Sequence, residues 1–298
     1  MTIKRWWLAG VAALLLFAGS VVWFVAPDDT PLVEAPAAAR FVFTEWDGPD
    51  LPVYYQLPDK VTRDTPVVFV MHGVKRDADR YRDEWADLAR QHGFIAVVPQ
   101  FGKSDSPGSR GYNTGYFAQA DGTPRPRALW SFAAIEPLFD DVRKRFGTDV
   151  PTYTIYGHSA GAQFVHRFVL FMPEARIEQA IAANSGWYTM PDPAIGFPYG
   201  FGAAPVDERG LTAALGKQLT VLLGTADIDR SDSDLRKTPE ADAQGPHRFA
   251  RGQAFYAEGE RAATERKATF GWTLVTVPGV GHSNAKMARA AAEILATE

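Results

Sequence analysis

The sequence predicts an α/β fold with a mostly parallel sheet and helices on both faces. The runs at residues 67–71 and 94–99 are apolar throughout, which is typical of strands buried on both sides. Residues 78–91 lie between them and have apolar side chains at helical spacing, and Gly93 ends that pattern. A second strand–turn–helix pattern covers residues 153–172. This alternation of strands and helices favours a parallel sheet with crossover helices.

The other elements follow in chain order. Residues 41–46 and 53–57 alternate on either side of a turn and predict an antiparallel pair at one edge of the sheet. Further strands are predicted at residues 177–184, 219–223 and 273–277, and further helices at residues 130–146, 247–267 and 285–296. Two irregular segments, residues 100–126 and 191–205, are expected to form walls of a site at the carboxyl ends of the strands. We therefore predict one catalytic domain over residues 41–298.

The N-terminus has the pattern of a targeting segment. Lys4 and Arg5 precede residues 6–26, which carry no charge and are about as long as a helix that crosses a bilayer. We interpret residues 1–26 as an uncleaved signal anchor that holds the rest of the protein outside the cytoplasm, in the periplasm or the extracellular space. A cleaved signal peptide, which would make the protein secreted, is the alternative. Residues 27–40, rich in proline and alanine, are interpreted as an extended tether.

The composition excludes several classes of protein. The 298 residues are 46% hydrophobic, enough for one large core, and their net charge of −4 gives no sign of nucleic-acid binding. The chain has no cysteine, which excludes a disulfide framework, a thiol nucleophile and a thiolate metal site. No cluster of side chains has metal-ligand spacing in the sequence, and we expect neither a metal nor a cofactor.

Residues 157–161, Gly-His-Ser-Ala-Gly, place a serine between a predicted strand and a predicted helix. A turn this sharp brings the flanking backbone too close for a Cβ, which explains the two glycines, and it forces Ser159 towards strained dihedral angles. The strain lifts the Ser159 hydroxyl out of the sheet, and the helix aims its free N–H groups at the same point. The pattern is typical of a nucleophile elbow.

A serine nucleophile needs a base, and the base needs a carboxylate that fixes its tautomer. In this architecture the order along the chain is serine, acid, histidine, each just after a strand. Asp227 and His282 satisfy that order, with Asp229 as the alternative acid. The sequence therefore predicts a catalytic triad of Ser159, Asp227 and His282.

Neighbouring loops supply the remaining candidate residues. The oxyanion is expected to be held by the backbone N–H groups of Ala160, directly after the nucleophile, and of Val74, with Lys75 as the alternative. Aromatic side chains after neighbouring strands are candidates for substrate binding, although they could equally only pack the loops: Trp187, Tyr188 and Phe101.

Three expectations concern charged and imidazole side chains nearby. Arg76 and Asp77 are expected to form a salt bridge that shapes the oxyanion loop, the loop after His72 and Gly73 that carries Val74. His72 is expected to pack and form hydrogen bonds within that loop rather than to act as a base. His166 is expected to be a surface or half-buried residue of its helix.

Three stretches resemble a known family. Residues 72–78 (His-Gly-Val-Lys-Arg-Asp-Ala), 224–227 (Gly-Thr-Ala-Asp) and 235–241 (Leu-Arg-Lys-Thr-Pro-Glu-Ala), together with the elbow, resemble bacterial serine esterases of the α/β-hydrolase superfamily, near polyhydroxybutyrate depolymerases and feruloyl esterases. The resemblance implies a mostly parallel eight-stranded sheet, no cofactor, and ester cleavage through an acyl-enzyme. Without the disulfides common in secreted depolymerases or a separate substrate-binding domain, the chain favours a small-molecule ester over a polymer.

Other functions are compatible with the same fold. A serine peptidase would usually bring an extra domain, for which the chain has little room, and a lipase would need a lid more apolar than residues 100–126. A binding module that has lost the chemistry is the alternative outside the enzymes, and the intact Ser159, Asp227 and His282 argue against it.

Overall fold

The computed structural model describes residues 35–296. The signal anchor predicted at residues 1–26 and most of the tether predicted at residues 27–40 lie outside the described residues. Among residues 35–296, no helix combines the length and the apolar character that a bilayer crossing requires. The first strand begins at Ala38, so the last residues of the segment interpreted as a tether belong to the sheet.

Eight strands form one sheet, as the resemblance implied. They are β1 (Ala38–Phe43), β2 (Leu51–Gln56), β3 (Val67–Met71), β4 (Ile95–Pro99), β5 (Tyr153–His158), β6 (Ile177–Ala183), β7 (Leu219–Gly224) and β8 (Trp272–Val277). Their spatial order is β1-β2-β4-β3-β5-β6-β7-β8, and β2 runs antiparallel to both of its neighbours while the pairs from β4 to β8 are parallel. The mostly parallel sheet predicted from the sequence is confirmed.

Helices cover both faces of this sheet. They are α1 (Ala78–His92), α2 (Gly108–Gly111), α3 (Ile135–Phe146), α4 (Ala160–Phe171), α5 (Glu208–Leu215), α6 (Pro239–Ala243), α7 (Arg248–Arg266) and α8 (Asn284–Leu295). On one face α1 and α8 pack together against alternate side chains of the strands, such as Val68 and Val70 of β3. The other alternate set, including Phe69, packs beneath α3, α4, α5 and α7. The period-two alternation of the strands thus divides the core into two layers.

The helix that follows the elbow is buried on every side. All twelve residues of α4 are buried, including His166 and Arg167, because α4 lies between the sheet, α5 and the long loops. An amphipathic pattern would therefore not be expected in this helix. The helix predicted at residues 130–146 begins instead as a short 3-10 turn and becomes α-helical at Ile135.

The two segments predicted to be irregular differ from each other. Residues 100–126 contain only the short α2 and an isolated bridge between Ala118 and Pro124. The segment that begins at residue 191 is followed by α5, which the sequence analysis did not predict and which is capped by the Asp207 carboxylate accepting from the Gly210 N–H. Residues 100–126 line a cavity at the edge of the sheet where β5 ends, as predicted for a wall of the site. No residue of the segment 191–205 lines that cavity, and the Tyr199 ring lies 4.8 Å from the ring of Trp187, which does.

Candidate active site

Ser159 occupies a tight turn between β5 and α4 with φ of 58° and ψ of −116°, a strained conformation for a residue with a side chain. A Cβ built on Gly161 would overlap the carbonyl oxygen of Met71, and a Cβ on Gly157 would overlap the backbone of Gly161. Only glycine fits at these two positions, so the geometry of the turn is set by backbone contact. Ser159 is half-buried and borders two cavities.

Asp227 and His282 meet at the same edge of the sheet. Asp227 follows β7 and His282 follows β8, and the distance from His282 Nδ1 to Asp227 Oδ2 is 2.7 Å. Asp229 instead accepts hydrogen bonds from the amide and hydroxyl of Ser231 in an exposed turn. The geometry therefore pairs His282 with Asp227, the first of the two carboxylates considered in the sequence.

Asn184, which the sequence analysis did not single out as a site residue, joins these two loops. It directly follows β6, is buried, and has φ of 49°. Its side chain accepts from the Gly224 N–H at 2.8 Å and donates to the Gly281 carbonyl at 3.0 Å. The residue before His282 is thus tied to the end of the strand that precedes Asp227. A polar residue directly after a buried strand, at the edge where the other candidates lie, was the available signal.

Arg248, the first residue of α7, was also missed. Its guanidinium is buried, with Nη1 2.7 Å from Asp232 Oδ2 and 3.5 Å from Asp227 Oδ1. A carboxylate as buried as Asp227 needs compensating charge and hydrogen bonds, and Arg248 together with His282 supplies them. Arg248 lies 21 residues after Asp227 in the chain, so no local sequence motif indicates that it belongs to the site.

Three buried histidines, His72, His158 and His166, surround the elbow without lying at the position of a base. His72 accepts a hydrogen bond at Nε2 from the Phe101 N–H at 3.1 Å, which confirms its expected packing role, and burial together with the Arg76 charge lowers its pKa to about 3. The His158 ring lies 4.5 Å from the His282 ring between centroids, and burial lowers its pKa well below the ordinary value. Both side chains are therefore neutral.

The expected exposure of His166 is wrong. His166 is fully buried in α4, where its Nε2 accepts from the Thr189 N–H at 3.1 Å, and burial lowers its pKa well below the ordinary value. The neutral imidazole can serve both partners, since Nδ1 lies 2.8 Å from the Ala162 carbonyl oxygen. No amphipathic period in the sequence indicates this burial, because every residue of α4 is buried.

Val74 and Ala160, predicted to hold the oxyanion, both border a cavity beside Ser159. Ala160 is the first residue of α4, and Val74 lies in the turn after β3. In the described part of the chain neither amide donates to another backbone carbonyl, so both remain available to a ligand. Lys75, the alternative oxyanion donor, borders a second cavity, which is the one that His282 lines.

The expected Arg76–Asp77 salt bridge is wrong. The Arg76 guanidinium donates to the carbonyls of Phe101, Ser106 and Gly108 and lies 4.2 Å from the centre of the Tyr112 ring. Asp77 pairs with Arg80 one turn into α1. Adjacent residues of the turn point in different directions, so Arg76 anchors residues 101–108 over the oxyanion loop instead.

One cavity, called the arginine cavity here, has a volume of about 340 Å³. Its lining comprises Val74, Arg76, Lys103, Gly108, Ser109, Asn113, Ser159, Ala160, Gln163, Gly186, Trp187, Asp234, Arg236 and Arg248. Two guanidinium groups contact the Trp187 ring, with Arg167 4.1 Å and Arg236 4.6 Å from its centre. The predicted position of Trp187 at the cavity therefore agrees with the structure.

The other two aromatic candidates do not reach this cavity. Tyr188 is fully buried and stacks on Phe255 at 4.5 Å, and Gln244 bonds both its N–H and its carbonyl. Phe101 is fully buried against Tyr112 and its neighbours. Although Tyr188 is adjacent to Trp187, only Trp187 borders the cavity.

The second cavity, called the histidine cavity here, has a volume of about 440 Å³. It is lined by Gly73, Val74, Lys75, Asp77, Arg80, Tyr81, Glu84, His158, Ser159, Asp234, His282, Ser283 and Asn284. Over residues 35–296 no group of three or more potential ligands is arranged to hold a metal ion. The groups that border Ser159 include the His282 imidazole, which contacts the Asp227 carboxylate, and residues Val74 and Ala160.

Comparison with solved structures places the chain among known hydrolases. Poly(aspartic acid) hydrolase-1 from Sphingomonas sp. KT-1 is 52% identical, with a TM-score of 0.86 over 88% of this chain and 99% of that chain. LpqC, a poly(3-hydroxybutyrate) depolymerase from Bordetella parapertussis, is 36% identical, with a TM-score of 0.81 over 87% of this chain and 90% of that chain. An S-formylglutathione hydrolase from Agrobacterium tumefaciens, 20% identical with a TM-score of 0.57 over 88% of this chain and 94% of that chain, shares the fold.

Neither the family models nor the curated protein sequences give a match to the chain. Poly(aspartic acid) hydrolase-1 and LpqC, each more than 30% identical, nevertheless match over 99% and 90% of their own length. The chain therefore belongs to the α/β-hydrolase superfamily and is a hydrolase, as its motifs predicted.

Proposed function

We propose that this chain is a serine hydrolase that cleaves carboxylic esters through an acyl-enzyme. The proposal is carried by the 2.7 Å contact of His282 Nδ1 with Asp227 Oδ2, next to a strained Ser159 that borders the same cavity as His282. A proton on Nδ1, donated to the carboxylate, leaves Nε2 free to accept the serine proton. A serine, a base and an orienting acid in this chain order are what nucleophilic acyl transfer requires.

The proposed reaction has two halves. Ser159 Oγ attacks the ester carbonyl while His282 takes its proton, and the amides of Val74 and Ala160 stabilise the tetrahedral oxyanion. His282 then protonates the leaving alcohol. In the second half His282 activates a water that releases the acid, and Asp227 stabilises the imidazolium in both halves.

The test is the variant Ser159→Ala together with labelling by a fluorophosphonate. We expect kcat on p-nitrophenyl esters to fall by about 10⁵–10⁶-fold and the covalent adduct on Ser159 to disappear. Ser104→Ala is the matched control, since Ser104 is exposed and its hydroxyl only contacts Asp105. A folded protein that forms no adduct on Ser159 would instead support a binding module without catalysis.

A second candidate reaction is amide hydrolysis in an acidic polymer. The 52% identity to poly(aspartic acid) hydrolase-1 supports it, as do the cationic side chains of Lys103 and Arg236 at the arginine cavity. The same serine and histidine would serve, with an amine as leaving group. Incubation with poly(aspartic acid), analysed by product size, and a parallel assay on poly(3-hydroxybutyrate) would separate this candidate from action on small esters.

We also propose that residues 1–26 anchor the protein to a membrane with the hydrolase domain outside the cytoplasm. The uncharged run at residues 6–26 behind Lys4 and Arg5 supports this. Fractionation of cells that express the full chain would test it. We expect the protein in the membrane fraction, and a variant that begins at residue 35 in the soluble fraction.

A further inference from the structure

Ser159 stands between two cavities of different composition. Ser159, Val74 and Asp234 border both the arginine cavity and the histidine cavity. Ala160 borders only the arginine cavity, and His282 borders only the histidine cavity. A substrate bound at Ser159 can therefore place one half in each cavity.

The chemistry of acyl transfer determines which half of the substrate lies in which cavity. The leaving atom must lie within hydrogen-bonding reach of the general acid, which in the proposed function is His282. The carbonyl oxygen must point at the Val74 and Ala160 amides. With those two directions assigned, the acyl chain takes the direction away from His282.

We propose that the arginine cavity holds the acyl half of the substrate, that this half carries a carboxylate, and that the histidine cavity holds the leaving group. This rests on the proposed function, because it uses His282 as the acid. It goes beyond that function by assigning the charge of the substrate to one side of the scissile bond.

The charges of the arginine cavity support an anionic acyl group. Four cationic side chains line it against one carboxylate, Asp234. Arg76 is engaged with three carbonyls and Arg248 with Asp232 and Asp227, which leaves Lys103 and Arg236. Over residues 35–296 neither of these two is paired with a carboxylate.

Arg236 is also held in place for such a contact. Its guanidinium stacks on Trp187 at 4.6 Å and donates to the Tyr199 hydroxyl at 3.1 Å. Arg167, 4.1 Å from the centre of the same ring, is fully buried, and within residues 35–296 its hydrogen bonds go to neutral oxygens of Thr189, Asn113 and Gln163. Burial and the nearby Arg236 charge lower the pKa of Arg167, so a substrate carboxylate here would relieve repulsion between two cations.

The histidine cavity has a different balance of charged side chains. Lys75 and Arg80 face Asp77, Glu84 and Asp234, and Arg80 is paired with both Asp77 and Glu84. These two cations and three carboxylates leave the histidine cavity with an excess of one negative charge. A leaving group in this cavity gains nothing from a carboxylate of its own.

Two matched substrate pairs test the assignment. Ethyl hydrogen glutarate and ethyl pentanoate differ by a carboxylate on the acyl side, and 4-acetoxybenzoate and 4-methylphenyl acetate differ by a carboxylate on the leaving group. We expect kcat/KM to be about tenfold or more higher for the glutarate than for the pentanoate. We expect no gain from the charged leaving group.

The variant Arg236→Glu should remove the glutarate preference and leave the ratio of the leaving-group pair unchanged. Arg209→Glu makes the same charge change on the exposed side of α5 and is the matched control. Because the acyl half stays on Ser159 after the alcohol departs, Arg236→Glu should also slow hydrolysis of the glutaryl-enzyme in single-turnover experiments.

Equal rates for glutarate and pentanoate, or a charge preference that follows the leaving group, would overturn the assignment while ester cleavage itself stands. If no ester of either pair is hydrolysed and no fluorophosphonate adduct forms on Ser159, the proposed function fails and the assignment fails with it. The two failures are therefore distinguishable.

Discussion

Ser159 and Asp227 both follow parallel strands at the same edge of the sheet, but the protein holds the two side chains in different ways. Around Ser159 the backbone itself is the constraint, since the turn has φ of 58° and any Cβ on Gly157 or Gly161 would overlap neighbouring main chain. Around Asp227 the constraint is charge, because His282 and the buried Arg248 contact its two oxygens.

These two kinds of constraint determine which perturbations each side tolerates. The elbow should be sensitive to a single added methyl group and less sensitive to the charge of nearby groups. The Asp227 side should tolerate small changes of shape and respond strongly to the loss of one charge. Four substitutions test this contrast.

The largest effect is expected from Asp227→Asn. The side chain keeps its shape, but the amide no longer fixes the donating Nδ1 tautomer of His282, so kcat should fall by about 10³–10⁴-fold. Steady-state kinetics on a p-nitrophenyl ester measure this. Asp229→Asn is the matched control, because Asp229 only caps its own exposed turn, and it should change kcat by less than about twofold. A large loss in Asp229→Asn with little loss in Asp227→Asn would reverse the proposed roles.

Gly161→Ala should break the elbow through shape alone. The new Cβ would overlap the Met71 carbonyl oxygen, so β3 and α4 must separate, at a cost of about 3 kcal/mol or more in the free energy of unfolding. Denaturant unfolding followed by fluorescence measures this. Gly196→Ala adds the same methyl group where nothing lies within 4 Å and should leave the stability nearly unchanged. Equal stability of the two variants would show that the turn adapts and that its backbone is not the constraint.

The same contrast explains how much could be predicted from the sequence. The eight-stranded, mostly parallel architecture, the elbow and the strand-end positions of Asp227 and His282 follow from local patterns, since each depends on residues close in sequence. The contacts of Asn184, Arg236 and Arg248 depend on which loops meet in space, and no local pattern encodes that.

Two expectations that the structure does not bear out concern residues that are neighbours in the chain. Arg76 with Asp77, and Trp187 with Tyr188, are adjacent in the chain, and each pair was given one shared role. In the structure the two members of each pair point in different directions, so one member of the second pair borders the cavity and the other lies in the core. His166 was missed because a helix that is buried all round shows no amphipathic period.

Arg248→Met tests the charge constraint without touching His282. The substitution leaves the buried Asp227 with one partner fewer, and we expect a loss of about 3 kcal/mol in stability and a fall in kcat of about tenfold or more. Arg230→Met is the control, since Arg230 is exposed in the loop that carries Asp227, and it should change stability by less than about 0.5 kcal/mol. A stable and fully active Arg248→Met protein would mean that His282 alone compensates the Asp227 charge.

The smallest effect is a pH dependence on the elbow side, where the buried histidines are neutral. His72 has a pKa of about 3 in the folded protein against 6.5 for the free side chain, because burial disfavours its charged form. The unfolded chain therefore binds more protons below about pH 6.5, so stability is complete above that pH and falls as the pH drops towards 3. At pH 5 the loss of stability from His72 alone should be about 2 kcal/mol.

Denaturant unfolding at pH 7, 6 and 5 should show a shallower decline in stability for His72→Gln than for the parent protein. The control His92→Gln, at the end of α1, should leave the decline as it is. A decline that is the same in all three proteins would mean that other groups control the acid sensitivity of the fold.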